Sequence, residues 1–576
     1  MPQRSLIPLF LSVTILATGL GWNDPLDARR QQGAPRPGFP TAPPRDRPVL
    51  DTATATLRGR VTRADTGEPL RGAQITVTGG RRTAQSGQRP QRWSASTDAD
   101  GYYELTDLPP GRYSLSARKG SFVSLQYGQS RVGEPGTPIE LAADDVLDDL
   151  DFRLPRGSVV TGRIFDEFSE PLTGVFVTDL TQRYVQGRRE FSPVGRGAAS
   201  DDRRQYRVYG LPPGQYRVSA ALRGGPQSVD GQGYAPTYYP GTSDVAQAQR
   251  VSVGLGQELT GIDYILVPVR TASVSGTATD AQGRPFANAM IMVSKRSGGM
   301  STMGFSGRQA NADGSFEVPN LVPGTYTLRV MSMGFGFEGG FATTTVTVDG
   351  ADITGLRLAA TLGATVRGMV VTENGGMPSF SPSRVQVTTQ PVDFNQFRMP
   401  RPGRVNDDWT FEVEGLTDND LIRLTGLPPE WGLKAVLFRG VDARDRALTT
   451  TELSGSGELG VVVTDRLTHL SGSVTDAQGA PALDYTVVVF PEAQDRWTYP
   501  TRSVQTARPD QNGVFKIDGL PAGRYYAVAG DYVPQQAWTS SEYLEQLGPW
   551  TTSFELRDAQ TETLLLRLAN LEGAVW

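Results

Sequence analysis

The stretch "TDADGYYELTDLPPGRYSL", residues 97–115, joins an acidic turn, an alternating strand and a Pro-Gly turn. It opens with Asp98, Asp100 and Gly101 at the spacing with which a calcium loop begins. Tyr103 and Leu105 are two residues apart, which is the period of a strand with one buried face. Whether this stretch is unique or repeated decides between a metal site and a structural turn.

The stretch recurs in five versions, and this internal repetition is the strongest signal in the sequence. Every copy begins with Asp or Asn, has an aromatic residue at position six and an aliphatic residue at position eight. Four copies then continue through a Pro-Gly turn into another strand. The copies are "DADGYYEL" at 98, "DDRRQYRV" at 201, "NADGSFEV" at 311, "NDDWTFEV" at 406 and "DQNGVFKI" at 510.

Each copy also has an apolar strand before this stretch and another after it. The closing strand, such as "LDDLDFRLP" at 147, runs almost directly into the next copy. A copy of about 100 residues with roughly seven short strands indicates a Greek-key β-sandwich. The opening strands carry one glycine each, namely Gly59, Gly162, Gly276, Gly368 and Gly472.

Two linked patterns resemble a known family. "G-x-V-x-D-x-x-G-x-P" followed by "D-x-x-G-x-F-x-[IV]-x-x-L-P-x-G-x-Y" is similar to the carboxypeptidase regulatory-like domain. The match is specific in copies one, three and five, fair in copy two and weak in copy four. The resemblance implies a transthyretin-like fold, related in shape to Cna-B-like and starch-binding-like modules. It also implies a non-catalytic accessory module of the kind found on exported bacterial proteins.

We therefore expect an all-β chain, a tandem array of about five Greek-key transthyretin-like β-sandwich domains. Short joints between the copies favour an elongated, semi-rigid rod. The last copy contains one candidate helix, "TSSEYLEQLG", capped by Ser540 or Ser541. The expected sandwiches span residues 55–155, 156–268, 269–362, 363–466 (the divergent copy) and 467–576.

The N-terminus has the plan of a secretory signal. Arg4 precedes an apolar run from Leu6 to about Leu20, which is too short for a confident membrane span. We expect residues 1–28 to be a signal peptide, with an uncleaved anchor as the alternative, and residues 29–54 to be a Pro-rich linker. With no later span, the mature chain should be secreted, periplasmic or at the cell surface.

The composition limits the classes of function. The chain combines 66 Gly and 41 Pro with 38% hydrophobic residues, which fits turn-rich β structure better than disorder. A net charge of −5 gives no indication of a nucleic-acid partner. The chain has no cysteine, and its single histidine, His469, excludes a zinc carboxypeptidase centre, which needs two. We expect no enzyme activity, no cofactor and no metal site.

The five copies provide a control for the calcium hypothesis. The third-position carboxylate of Asp100 is replaced by Arg203 and Asn512 in two copies, whereas Asp or Asn stays at position one throughout. Calcium needs six to eight oxygen ligands, while an Asx turn needs only the first residue. The pattern favours turn chemistry and leaves weak calcium binding open.

Aromatic residues in loops suggest a binding surface for sugars. "GYAPTYYPGTSD", residues 233–244, supplies Tyr234, Tyr238 and Tyr239, and "DYVPQQAW" supplies Tyr532 and Trp538 in copy five. "MGFGFEGGF" occupies the same place in copy three. The alternative is that these rings pack each long loop onto its own sandwich.

The sequence thus predicts an exported, non-catalytic protein that acts as a structural, adhesive or spacer module at the cell envelope. One alternative is a glycan-binding protein that uses the tyrosine-rich loops, with a polysaccharide as partner. A second is an accessory subunit that docks onto an envelope enzyme or transporter protein.

Overall fold

A computed structural model describes most of the chain beyond the N-terminal region. The predicted signal peptide and all but the last residue of the predicted linker lie outside the described residues, as does most of the copy-three aromatic loop. Among the described residues, no helix is long and apolar enough to cross a membrane. The described ranges are 54–80, 91–129, 131, 134–222, 232–297, 300–302, 308–332, 340–392, 402–417, 420–453 and 457–571.

Sandwich 1 has the two packed sheets predicted for a copy. Its strands are β1 (Ala55–Arg63), β2 (Gln74–Gly80), β3 (Gln91–Ser96), β4 (Tyr102–Leu108), β5 (Gly111–Arg118), β6 (Leu125–Gln126), β7 (Ile139–Leu141), β8 (Val146–Leu147) and β9 (Phe152–Leu154). In one sheet β1 lies between β4 and the closing strands β8 and β9, which run parallel to β1. The other sheet has the order β3-β2-β5, with β6 and β7 along the outer side of β5. The two inner faces share one apolar core.

Sandwich 2 repeats this topology around its own core and adds a long hairpin. Its strands are β10 (Ser158–Phe165), β11 (Val175–Val185), β12 (Arg188–Ala199), β13 (Gln205–Leu211), β14 (Gly214–Leu222), β15 (Gln232–Tyr234), β16 (Thr237–Tyr238), β17 (Val251–Val253), β18 (Glu258–Leu259), β19 (Tyr264–Ile265) and β20 (Pro268–Arg270). The sheets have the orders β13-β10-β18 and β12-β11-β14-β16, and β15 pairs with β20. The hairpin consists of β11 and β12, which have 11 and 12 residues.

In sandwich 3 the edge strand and the closing strand are each one long strand, whereas each is split into two short strands in the first two sandwiches. Its strands are β21 (Ala272–Thr279), β22 (Met290–Ser297), β23 (Met300–Thr302), β24 (Arg308–Gln309), β25 (Ser315–Leu321), β26 (Gly324–Met331), β27 (Phe341–Val348) and β28 (Ile353–Ala359). The sheets have the orders β25-β21-β28 and β23-β22-β26-β27, and β24 also pairs with β22.

Sandwich 4 departs from the common topology, as its divergent sequence predicts. Its elements are β29 (Ala364–Thr372), a 3-10 helix (Pro382–Arg384), β30 (Gln386–Pro391), β31 (Gly403–Arg404), β32 (Thr410–Leu416), β33 (Asp420–Thr425), β34 (Gly432–Phe438), β35 (Val441–Asp442), α1 (Thr450–Leu453) and β36 (Leu459–Thr464). The closing strand β36 lies between β29 and β34, so β34 belongs to the sheet of the opening strand.

Sandwich 5 contains the predicted helix and joins its two sheets through the closing strand. Its elements are β37 (His469–Thr475), β38 (Thr486–Pro491), β39 (Gln505–Ala507), β40 (Phe515–Asp518), β41 (Gly523–Gly530), α2 (Ser541–Gln546), β42 (Thr552–Leu556) and β43 (Thr561–Ala569), with 3-10 helices at Gln494–Arg496, Ala537–Thr539 and Gly548–Trp550. β43 pairs with β37 along seven residues and with β41 at its end. Tyr543 and Leu544 of α2 enter a second, smaller core beside the main one.

The glycine of each opening strand lies directly opposite the aromatic residue of the repeated stretch. Gly59 pairs with Tyr103, and the same cross-strand pair recurs in the other four sandwiches. A Cβ atom at Gly59 would lie less than 3 Å from the carbonyl oxygen of Leu150, just before β9. The closing segment thus approaches the backbone where only glycine fits. The same approach involves the carbonyl groups of Ile262, Leu356, Leu459 and Leu564.

The tyrosine of each Pro-Gly turn closes that turn with its hydroxyl group. The Tyr216 hydroxyl donates a hydrogen bond to the Pro212 carbonyl, four residues earlier, at 2.5 Å. Burial raises the pKa of Tyr216 to about 12, so the hydroxyl keeps its proton at neutral pH. The same bond is made by Tyr113, Tyr326 and Tyr525. This bond gives a physical reason for the tyrosine that follows each of these turns.

Replacing Tyr216 with phenylalanine should lower the unfolding free energy of sandwich 2 by about 1 kcal/mol, because the Pro212 carbonyl loses its donor. Hydrogen exchange of the β14 amides would measure the loss. Tyr209→Phe is the matched control, since Tyr209 is 44% exposed on the neighbouring strand β13. Equal effects of the two changes would contradict a specific role of the Tyr216 hydroxyl.

The sandwiches do not form the expected end-to-end rod. Sandwich 5 contacts sandwich 1 at Glu140, sandwich 2 at Gly187 and sandwich 4 at Leu433. The expectation of an elongated array is therefore wrong, because the last copy folds back onto earlier ones. Short joints do not fix the direction in which consecutive sandwiches turn.

Candidate functional site

The acidic turns use their side chains to bind their own backbone. Oδ1 of Asp98 accepts hydrogen bonds from the backbone N–H groups of Asp100 and Tyr102 at 3.0 and 2.8 Å. Asp201 and Asp510 make the same pair of bonds. These bonds are those of an Asx turn. Within the described ranges, no group of three or more His, Cys, Asp or Glu side chains is placed to hold a metal ion.

In the two turns that begin with Asn, the third residue accepts the backbone hydrogen bond. Oδ1 of Asp313 accepts from the backbone N–H of Ser315 at 2.9 Å, and Oδ1 of Asp408 accepts from that of Thr410 at 3.0 Å. Hydrogen bonds from the side-chain hydroxyl groups of Ser315 and Thr410, together with these backbone bonds, hold the pKa of both carboxyl groups below the ordinary value. The third-position carboxylate is thus a turn acceptor in the copies whose first residue is Asn.

The three candidate tyrosines of sandwich 2 pack against their own sandwich. Tyr238 is only 1% exposed and belongs to a small apolar cluster beneath the loop. The Tyr239 ring lies edge-on to Tyr264, with centroids 5.8 Å apart. The Tyr234 hydroxyl donates a hydrogen bond to the Glu167 carboxylate. Packing contacts account for the positions of these three rings.

The two candidate rings of sandwich 5 also contact protein. The guanidinium carbon of Arg131 in sandwich 1 lies 5.7 Å from the centre of the Tyr532 ring. Trp538 is partly buried against the smaller core of sandwich 5, which also includes the α2 residue Tyr543. Tyr532 thus lies at a boundary between sandwiches, and Trp538 supports the helical insert.

His469 lies at the head of β37, where its sequence position placed it. Its Nδ1 atom is 3.0 Å from Oδ1 of Asp518 on the paired strand β40, and its side chain is about half exposed. Asp518 also lines a cleft of about 410 Å³. Its other lining residues come from sandwiches 1, 4 and 5 and are Gly111, Arg112, Glu140, Leu141, Pro429 and Lys516.

The contact between sandwiches 5 and 1 is built on the edge strand β7. The carboxamide of Gln511 accepts from the Glu140 N–H at 3.4 Å and donates to the Glu140 carbonyl at 3.3 Å. Lys516 Nζ lies 3.0 Å from Oε2 of the same Glu140. The Gln511 side chain therefore pairs with β7 much as a neighbouring strand would, and an ion pair fixes its position.

The contact between sandwiches 5 and 2 uses the tip of the β11–β12 hairpin. The Gly187 N–H donates to Oγ1 of Thr539 at 2.9 Å. The rings of Tyr184 and Tyr543 meet edge to face, with centroids 5.8 Å apart. The long hairpin of sandwich 2 thus reaches the helical insert of sandwich 5.

The contact between sandwiches 5 and 4 is polar and partly buried. The Arg502 guanidinium donates to the Leu433 carbonyl at 2.6 Å, and Lys434 Nζ lies 2.6 Å from Oδ1 of Asp558. Burial lowers the pKa of Arg502, although the nearby Asp445 opposes that shift. Sandwich 5 is therefore joined to three other sandwiches through side chains that differ from copy to copy.

Sequence reasoning missed these contact residues because it followed what the copies share. Gln511 is the second residue of the repeated turn, where the other copies have Ala99, Asp202, Ala312 and Asp407. Lys516 is the seventh, where three of the other copies have Glu. The signal was present as departures of copy five from the pattern, but nothing in the sequence places those departures beside Glu140.

A buried carboxyl group in sandwich 2 was also missed. Asp179 on β11 is 0% exposed, and neither of its side-chain oxygens has a hydrogen-bond partner among the described residues. It pairs with Val218, two residues after the turn tyrosine Tyr216. The corresponding positions in sandwiches 1, 3 and 5 hold Val77, Val293 and Val489. An alignment of β2, β11, β22 and β38 would have shown one aspartate where the other three strands have valine.

Comparison with family models gives one match. The carboxypeptidase regulatory-like domain model matches residues 56–155 and 273–363, which cover sandwiches 1 and 3. The resemblance expected for copies one and three is thereby confirmed. No curated protein matches the chain.

Comparison with solved structures gives matches of low identity and low TM-score. A streptococcal ancillary pilin is 15% identical over 53% of this chain and 99% of its own, with a TM-score of 0.19. The minor pilin GBS52 of Streptococcus agalactiae is 15% identical over 37% of this chain and 96% of its own, with a TM-score of 0.20. The 3-chlorocatechol 1,2-dioxygenase of Rhodococcus opacus is 14% identical over 19% of this chain and 62% of its own, with a TM-score of 0.14. Similarity this low does not transfer a function.

Proposed function

From the premise that residues 56–155 and 273–363 are carboxypeptidase regulatory-like domains, we propose that this protein is an exported, non-catalytic scaffold of the cell envelope. In this scaffold sandwich 5 holds sandwiches 1, 2 and 4 in one body. The protein is then a preassembled unit and not a spacer rod, and it presents its loops and strand edges to the envelope.

The observation that carries the proposal is the use of copy-specific residues at the contacts of sandwich 5. Gln511 and Lys516 depart from the repeat and meet Glu140, while the α2 insert, which the described parts of sandwiches 1–3 lack, meets the Tyr184 hairpin. Five interchangeable spacers would need no such differences. Divergence at contact positions is what a fixed arrangement of sandwiches requires.

The export part of the proposal depends on the N-terminal sequence. The apolar run after Arg4 has the plan of a secretory signal, and the absence of cysteine makes folding independent of the redox state of the compartment. Fractionation of a bacterial host that expresses the full chain tests this part. Export with removal of residues up to about Ala28 supports it, and a chain retained uncleaved in the cytoplasm contradicts it.

Zero-length carbodiimide crosslinking should join sandwich 5 to two other sandwiches. The chain has four lysines, and two of them form ion pairs between sandwiches, Lys516 with Glu140 and Lys434 with Asp558. We expect mass spectrometry of the crosslinked monomer to identify both crosslinks. Their yield should not change with protein concentration, because both form within one chain. Failure to find either crosslink would contradict the fixed arrangement.

A charge reversal at Lys516 provides a second test of the arrangement. Lys516→Glu should open the contact with sandwich 1 and raise the radius of gyration in solution scattering, because Glu140 would then face a like charge. Lys119→Glu is the matched control, since Lys119 bonds only within sandwich 1, to the Arg71 carbonyl. The double change of Lys516→Glu with Glu140→Lys should restore the wild-type value. An unchanged profile for the single variant would contradict the role of this ion pair.

Two outcomes would favour the alternative functions. Saturable binding to a polysaccharide in a glycan array would favour the carbohydrate-binding hypothesis. Capture of a stoichiometric envelope enzyme or transporter by the exported protein would favour the accessory-subunit hypothesis.

A further inference from the structure

Strand β27 of sandwich 3 forms a long sheet edge that is open beyond its first residue. Its eight residues, "FATTTVTV", pair with β26 along their whole length. β27 is the last strand of its sheet, and no strand from the described ranges pairs with its outer side. The strand contains no charged residue, no proline and no glycine, so it lacks the usual features that prevent edge-to-edge pairing.

The equivalent edges of sandwiches 1, 2 and 5 do have such features. In sandwiches 1 and 2 the edge is broken into pieces of two and three residues, β6 and β7 or β16 and β17. The Gln511 carboxamide covers β7 in addition. In sandwich 5 the strand β42 has five residues and includes Glu555. The open edge thus distinguishes sandwich 3 from sandwiches 1, 2 and 5.

The hydrogen bonds of Phe341, the first residue of β27, show which backbone groups of the strand point away from β26. The N–H and carbonyl groups of Phe341 both bond to Thr361, which lies on the side away from β26, at 2.9 Å. Because this direction alternates along a strand, the N–H and carbonyl groups of Thr343, Thr345 and Thr347 also point away from β26. The side chains of these three threonines are exposed.

We propose that β27 is a self-association surface, to which a second copy of this chain adds its own β27 in antiparallel orientation. A two-fold axis at Thr345 pairs Thr345 with its own counterpart and Thr343 with Thr347 of the second copy. All three pairs then join outward-facing backbone groups, so the two sheets become one continuous sheet. This inference goes beyond the proposed scaffold and is independent of sandwich 5, so either can fail alone.

The strand chemistry favours a second copy over an unrelated peptide. A two-fold edge places the residue on its axis opposite the same residue of the second copy, so a charged residue there would face a like charge. β27 has none, and the register above gives only Thr–Thr pairs at the three open positions, a favourable cross-strand combination. A self-complementary edge of this kind requires no partner sequence beyond its own.

Sedimentation velocity of the full chain and of Thr345→Lys tests the proposal. The wild type should dimerise reversibly at concentrations up to roughly 100 μM, and Thr345→Lys should raise the dissociation constant by about tenfold or more, because the two lysines face each other. Thr277→Lys is the matched control, since Thr277 is exposed on β21, the central strand of the other sheet of sandwich 3. A monomeric wild type, or equal effects of both variants, overturns the proposal.

A mixing experiment separates this edge from any other dimer contact. Thr345→Lys and Thr345→Glu should each dimerise weakly alone, whereas their mixture should form a heterodimer, since the axis brings opposite charges together. Hydrogen exchange should also slow at the amides of Thr343, Thr345 and Thr347 as the wild-type concentration rises. A mixture that stays monomeric, or amides whose exchange is independent of concentration, overturns the proposal.

Discussion

Replacing Gly59 with alanine is expected to destabilise sandwich 1 by roughly 3 kcal/mol, the upper range for overpacking a well-packed site. The added methyl group would meet the Leu150 carbonyl carbon and oxygen, and the Tyr103 hydroxyl, all at less than 3 Å. Two of these three atoms are backbone, so no rotamer change relieves the clash. The Tyr103 hydroxyl also donates to that same carbonyl at 2.6 Å, and displacement of the segment would break this bond.

Thermal unfolding of the full chain, with hydrogen exchange of β1 and β4 to assign the transition, measures this effect. Gly120→Ala is the matched control in the same sandwich, because a Cβ atom there meets nothing within 4 Å and its φ is not positive. We expect the control to leave sandwich 1 within about 0.5 kcal/mol of the wild type. Similar stability of the two variants would show that the closing segment can move away without cost.

Replacing Asp179 with valine is expected to stabilise sandwich 2 by several kcal/mol at neutral pH. Burial raises the pKa of Asp179 to about 7, from an ordinary value of 3.8. The folded state therefore retains a proton that the unfolded state has already lost. Valine occupies the equivalent position in three sister sandwiches, so the surrounding sheet geometry accepts it.

The pH dependence follows from the direction of this shift. Below pH 3.8 both states are protonated and ionisation of the group costs no stability. Between pH 3.8 and about 7 only the unfolded chain ionises, so the stability of sandwich 2 falls as the pH rises and then levels off. About three pH units at ~1.36 kcal/mol each give a loss of roughly 4 kcal/mol.

Calorimetry of wild type and Asp179→Val between pH 4 and pH 8 measures both the stabilisation by valine and its dependence on pH. The sandwich 2 transition should fall with rising pH in the wild type and lose that component of its slope in the variant. The reciprocal change, Val77→Asp, should create the same pH dependence in sandwich 1. If Asp179→Val were neutral at pH 8, the carboxyl group would have a partner that burial alone does not reveal.

The repeated features of this protein were predictable because they arise from local chemistry. The alternation at Tyr103 and Leu105, the Asx turn at Asp98 and the Pro-Gly turns each involve neighbouring residues, so sequence spacing was sufficient. The two-sheet sandwiches followed from these strands. The helix at Ser541–Gln546 was also predicted from its cap and its period.

The arrangement of the sandwiches was not predictable from the same information. The approach of Gln511 to Glu140 depends on the angles of four joints between them, and no local pattern fixes those angles. The burial of Asp179 depends on its strand register, because a shift by one residue would turn its side chain to the opposite face. The burial of Tyr238 was not predictable from the sequence for a similar reason, since the segment that contains β16 folds back over Leu180.

The parallel pairing of opening and closing strands has a mechanical consequence. Because the chain enters and leaves sandwich 5 through β37 and β43, tension on its two ends would load their hydrogen bonds in shear, and all seven residue pairs would have to yield together. In sandwich 1 the same load falls on separate groups of two and three pairs. Under a pulling force, sandwich 1 is therefore expected to unfold before sandwich 5. A chain held at both ends would then lengthen at sandwich 1 while sandwich 5 stayed folded.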